Sequence, residues 1–98
     1  MSTLTDQRWR VPRTLDLRMR RFDGEFVIYS AWSGDTHVLN ALAGEALLVL
    51  RDAAHDASSL AAAVAAEARV ELDRDFVQQM ANLLTEFRHL GLIEPAPA

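Results

Sequence analysis

Three histidines, His37, His55 and His89, are the side chains here best suited to holding a metal or moving a proton near neutral pH. No two of them stand three or four residues apart, the spacing that sets two imidazoles on one helix face, so they do not form a metal motif. Cysteine is absent, which removes thiol nucleophiles, disulfides and thiolate metal sites together. The serines have no nearby histidine and acid in an order that would activate a hydroxyl. Asp73 and Asp75 flank Arg74 where a helix begins; carboxylates there meet free N–H groups and the positive end of the helix dipole, so they read as caps and not as an acid–base pair. The four glycines are scattered at turns and a helix end and form no phosphate-cradling loop. The chain therefore reads as a non-enzyme with no cofactor and no metal, and its chemistry has to be that of a binding surface.

The candidate surfaces differ in charge. All ten basic residues are arginine, and the chain carries a formal net charge of −4. Residues 1–51 account for +1 and residues 52–98 for −5. Arg8, Arg10, Arg13, Arg18, Arg20 and Arg21 form the basic cluster, interrupted only by Asp16. It reads as a solvated outer face or a seat for an acidic partner surface. A net acidic chain is a poor general ligand for nucleic acid, whose affinity comes mainly from phosphate neutralisation. No apolar run is long enough to span a bilayer; the richest, residues 41–50, is far too short. The polar start, residues 1–10, lacks the apolar core of a signal peptide. These features place the protein in the cytoplasm, with no nucleic-acid and no membrane partner.

The elements that carry these surfaces follow from periodicity. Leu15, Leu17 and Met19 alternate with Asp16, Arg18 and Arg20, the period of a half-buried strand. Asp23-Gly24 is a type I′ turn signal, and the segment from Glu25 to Ser30 is rich in β-formers. Pairing Phe22 with Glu25 sets Leu17, Met19, Phe26 and Ile28 on one face and Arg18, Arg20, Phe22, Val27 and Tyr29 on the other. After a turn at Ser33-Gly34-Asp35, Thr36–Leu39 is a third, antiparallel strand. Asn40 caps a helix that runs to about Arg51. Ser58 or Ser59 caps a second helix lined by Leu60, Ala63, Val64 and Ala68. Asp73 caps the third, whose stripe is Phe76, Val77, Met80, Leu83, Leu84, Phe87 and Leu90. Gly91 ends that helix in a left-handed conformation, Leu92 and Ile93 fold back on the core, and Pro95 closes the ordered part. The order is βββααα: an α+β, winged-helix-like domain with a three-stranded antiparallel sheet followed by three helices. Residues 1–14 form an N-terminal arm and residues 15–95 the domain. Trp9 in the arm packs on the sheet or serves in docking; the sequence leaves both open.

Leu39-Asn40-x-x-Ala43-x-x-x-Leu47-Leu48-x-Leu50, with Leu60, the Phe76-to-Leu90 stripe and Gly91-Leu92-Ile93 behind it, resembles the PqqD family of precursor-peptide recognition elements. The likeness runs from about Leu15 to Glu94. Ser33-Gly34-Asp35-Thr36-His37-x-Leu39-Asn40 is similar to a bacterial subgroup found with an HprK-related kinase. The resemblance implies a non-catalytic peptide chaperone: the leader of a ribosomally made precursor adds as a strand to the edge of the third strand and is presented to a separate modifying enzyme. Carried onto this chain, the peptide-binding residues would be Thr36, His37, Val38 and Leu39 along the edge, with Phe76, Val77, Met80 and Leu83 forming the wall of a groove. The proline and glutamate common in that family after the second strand are replaced here by Ala31-Trp32-Ser33. Trp32 either extends the binding surface or covers the core.

Two other classes stay in view. A winged-helix DNA-binding regulator would use residues 73–90 as recognition helix, but three acids there face only Arg74 and Arg88, which repels phosphate. A protein–protein adaptor or homodimerisation domain would use the unprotected third-strand edge, which also suits pairing with a second copy.

Overall fold

The computed structural model describes residues 7–97. In chain order the elements are β1 (Trp9–Arg10), a single 3-10 turn (Arg13–Leu15), β2 (Leu17–Phe22), β3 (Glu25–Ser30), β4 (Thr36–Asn40), α1 (Ala41–Asp52), α2 (Ala57–Ala68), α3 (Arg74–His89) and β5 (Glu94–Pro95). β2, β3 and β4 form an antiparallel sheet in that order, so the fold is α+β with three strands followed by three helices.

The β2–β3 hairpin has the expected register, Phe22 opposite Glu25 and Leu17 opposite Ser30. Its turn needs positive φ at two successive residues, and Asp23 (φ 50°) and Gly24 (φ 77°) provide it. β4 then pairs with β3, Leu39 opposite Phe26 and His37 opposite Ile28. The turn joining them is tied to the 3-10 turn before β2: the buried Ser30 hydroxyl donates to the Leu15 carbonyl (3.0 Å) and accepts from the Ser33 N–H (3.3 Å).

Leu17, Phe26, Ile28 and Leu39 are buried on the inner face of the sheet. α1 lies against β3 and β4 there, and Gly44 sets how closely. A Cβ on Gly44 would fall 1.9 Å from the Phe26 ring, so only hydrogen fits between helix and strand. α1 packs on α2 and α2 on α3, and the fully buried Leu47, Leu50, Leu60, Val64, Met80 and Phe87 fill the space between. Each such side chain stabilises the fold by roughly 1.5–3 kcal/mol relative to exposure.

The caps hold these helices at defined starts. Asn40 Oδ1 accepts from the Ala43 N–H at 2.8 Å, and Asp73 Oδ1 from the Phe76 N–H at 2.8 Å. The α2 cap is Asp56 rather than Ser58 or Ser59: its carboxylate takes the Ser59 N–H (2.8 Å), and Ser59 Oγ accepts the Asp56 N–H in return (3.2 Å). Asp is as good a cap as Ser, and the reciprocal pair satisfies two donors where a serine cap alone would satisfy one. On α2, Ala57, Ala61 and Ala65 join Leu60 and Val64 in the core, while Ala68 is exposed. After α3 the Leu92 N–H returns to the Phe87 carbonyl (2.9 Å), which turns Leu92 and Ile93 inward.

Trp9 belongs to the core. β1 pairs with β5, Trp9 opposite Pro95 and Arg10 opposite Glu94. Trp9 also exchanges two backbone hydrogen bonds with His55 (2.8 and 3.0 Å), and the Arg88 guanidinium lies 5.7 Å from the centre of its ring. Val11 is buried as well, so residues 9–11 pack with the domain although they precede residue 15. Burial, helped by the charge of Arg8 and opposed by that of Asp56, lowers the pKa of His55, whose Nδ1 lies 2.9 Å from Ser59 Oγ.

Candidate functional site

An antiparallel ladder alternates between residues that bond one neighbour and residues that bond the other. In a two-residue hairpin the residues flanking the turn, here Phe22 and Glu25, bond each other. Counting from there, the backbones of Glu25, Val27 and Tyr29 turn to β2, and those of Phe26, Ile28 and Ser30 turn to β4. Leu39 and His37 therefore bond β3. The N–H and C=O groups of Thr36 and Val38 point the other way, to an edge of β4 that no strand pairs with among the described residues. Over five residues this edge is roughly 17 Å long.

Side chains alternate independently of the backbone groups. Thr36 and Val38 project from the outer face of the sheet, and Val38 is 61% exposed. His37 and Leu39 project from the inner face. There the cover is uneven: Leu39 is buried under α1, whereas His37 is only half-buried although its partner Ile28 is sealed. The inner face is thus closed at the Leu39 end of β4 and partly open at the His37 end. α3 packs chiefly on α2.

The expected site residues fall into two groups. Thr36, His37, Val38, Val77 and Leu83 keep accessible surface. Leu39, Phe76 and Met80 do not; Met80 is fully buried and the other two expose less than a tenth of their surface. Met80 is core and offers nothing to a ligand, so α3 can contribute a wall only through the half-buried residues that flank its buried stripe. Periodicity marks the stripe but not the depth at which each member lies. Trp32 is 77% exposed and does not cover the core.

Besides Val38, two large apolar residues are exposed on the outer face, Phe22 (64%) and Tyr29. Phe22 and Tyr29, with Arg18, Met19, Arg20 and Val27, line a shallow depression of about 390 Å³. The sequence pattern places most of these on one face, but nothing in it says whether another element covers that face. Among the described residues there is no group of three or more His, Asp or Glu side chains that could hold a metal, and no helix is long and apolar enough to cross a membrane.

No protein-family pattern and no curated protein matches the chain in sequence. Among solved structures the fold is similar to that of TbiB1, determined in complex with the TbiA(beta) leader peptide: the TM-score is 0.67 at 17% sequence identity, over 91% of this chain and 99% of that one. This chain shares its fold with a leader-peptide-bound protein over nearly the full length of both.

Proposed function

We propose that this domain binds an extended peptide, the leader of a ribosomally made precursor, by strand addition to the free edge of β4, and presents it to a separate modifying enzyme. The observation that carries the reading is that edge itself: the backbone donors and acceptors of Thr36 and Val38 face outward, beside an inner face left partly open at His37. Main-chain bonds to Thr36 and Val38 would supply affinity. Selectivity would come from alternate peptide side chains, which meet His37 and the accessible α3 positions Val77 and Leu83. The domain does no bond chemistry of its own in this reading. The fold shared with TbiB1, and that protein's complex with a leader peptide, support it. The likeness of the Ser33–Asn40 segment to the kinase-linked PqqD-like subgroup makes an HprK-related kinase the first partner to test, in a bacterial cytoplasm.

The test is an amide chemical-shift titration with short peptides encoded beside the gene. Shifts at Thr36–Leu39 and along the α3 flank are expected, and their absence with every such peptide would end the proposal. Val38→Pro sharpens it. Among the described residues that N–H bonds no strand, so the sheet should survive its loss while peptide affinity falls about tenfold or more, the worth of one or two main-chain hydrogen bonds. Undiminished binding would exclude strand addition. The same bare edge also suits pairing with a second copy, which would show as a mass that rises with concentration and collapses in Val38→Pro.

A further inference from the structure

The sheet has two edges, and on backbone groups alone β2 is the better of them. Phe22 and Glu25 bond each other across the turn, so Arg18, Arg20 and Phe22 turn their N–H and C=O groups to Tyr29, Val27 and Glu25 of β3. Those of Leu17, Met19 and Arg21 point outward, and no strand pairs with them among the described residues. β4 offers only Thr36 and Val38. A strand guided by main-chain hydrogen bonds alone would add to β2 at least as readily as to β4. Any preference between the edges has to come from side chains.

The side chains differ. β4 (Thr36–Asn40) contains no Asp, Glu, Lys or Arg, whereas β2 (Leu17–Phe22) holds three arginines in six residues. Arg18 and Arg20 stand on the outer face. Arg21 stands on the inner face, in one row with Phe26 and Leu39, which are both buried. Its guanidinium lies 4.9 Å from the centre of the Phe26 ring and is bonded to Glu45 of α1. A charge pair therefore sits at the rim of the core, beside the β2 edge. The Arg21 side chain keeps 65% of its surface in water and that of Glu45 27%. A strand laid against β2 would set an inward side chain on this pair and strip water from both charges without bringing either a new partner. Desolvation of an ion pair outweighs its attraction unless further bonds are made. An acidic strand would find little to compensate, because Arg18 already holds Asp16 at 3.2 Å and Arg21 already holds Glu45. A charge on the inward face of an edge strand is one of the ways sheets refuse a further strand.

We propose that Arg21, held over Phe26 by Glu45, closes the β2 edge and so confines strand addition to β4. Arg21 is a positioning residue in this role: it touches no peptide and decides by exclusion where one binds. The closed edge stands on its own geometry, and only the peptide's place at β4 rests on the strand-addition reading.

The experiment uses the full chain with Val38→Pro, which takes β4 out of the readout, and the same chain carrying Arg21→Val or Arg21→Gln in addition. Sedimentation equilibrium gives the self-association of each, after denaturant midpoints establish which of them fold. Arg21→Val is expected to pair β2 with β2 of a second copy and to strengthen self-association about tenfold or more over Val38→Pro alone. Arg21→Gln, which keeps the stem and loses the charge, should show a smaller gain in the same direction, and it carries the test if Arg21→Val does not fold. Adding Met19→Pro, which removes an outward N–H of β2, should abolish the gain. Equal self-association with and without Arg21, or a gain that survives Met19→Pro, overturns the proposal. With β4 intact, calorimetry with the peptides encoded beside the gene should count one peptide per unaltered domain; a count of two would show that β2 is open and overturn it as well. If no peptide binds while Arg21→Val still self-associates through β2, the closed edge stands and strand addition at β4 fails.

Discussion

The two faces of one small sheet have opposite fates. On the inner face Leu17, Phe26, Ile28 and Leu39 are buried, and Gly44 gives up its side chain so that α1 can sit on Phe26. On the outer face Phe22, Tyr29 and Val38, which alternate with those residues along the same strands, stay in water. A half-buried sheet with polar side chains outside would be the cheaper arrangement for a domain whose only task is to fold. Stability is concentrated on one face, and the apolar residues of the other are free to serve recognition.

Substitutions on the two faces should separate this division by size of effect. Ile28→Asp places a carboxylate without a partner in the sealed interior and should cost roughly 4 kcal/mol or more, enough to unfold a domain of ordinary stability; urea denaturation followed by circular dichroism measures it. A folded Ile28→Asp protein would mean that the inner face is far less closed than its burial indicates. Gly44→Ala should cost about 1–3 kcal/mol through overpacking against Phe26, and Phe26→Leu in the same chain should recover part of that loss. If Gly44→Ala is neutral, α1 does not approach the sheet as closely as described. Phe22→Ser on the outer face should move the denaturation midpoint least, by no more than about 0.5 kcal/mol. A large loss there would make Phe22 a structural residue and erase the contrast between the faces.

Much of this division was open to sequence reading. The hairpin register followed from alternation and from Asp23-Gly24, because a two-residue turn leaves no freedom in pairing. Asn40 and Asp73 were identifiable as caps because their side chains satisfy donors that any helix start exposes. The α2 cap was misplaced by two or three positions, since Asp56, Ser58 and Ser59 are all competent and only the reciprocal bond chooses among them. The β1–β5 pair was invisible: two-residue strands carry no period, and what orders them is Trp9 meeting His55 and Arg88 in space. At the candidate site the free edge of β4 was foreseen from strand order, whereas the burial of Met80 was not. A helical stripe says which residues face inward together, but the depth of each depends on what packs against it from other parts of the chain.

The clasp between β1 and β5 has a consequence for how such a domain can be used. Arg10 lies opposite Glu94, their side chains meet at 2.8 Å, and the Ala96 N–H bonds the Arg8 carbonyl. The polypeptide therefore enters and leaves at one spot, as at the neck of a loop. A unit built this way can be spliced into a surface turn of a larger host protein, or tethered at either end, without pulling its two ends apart.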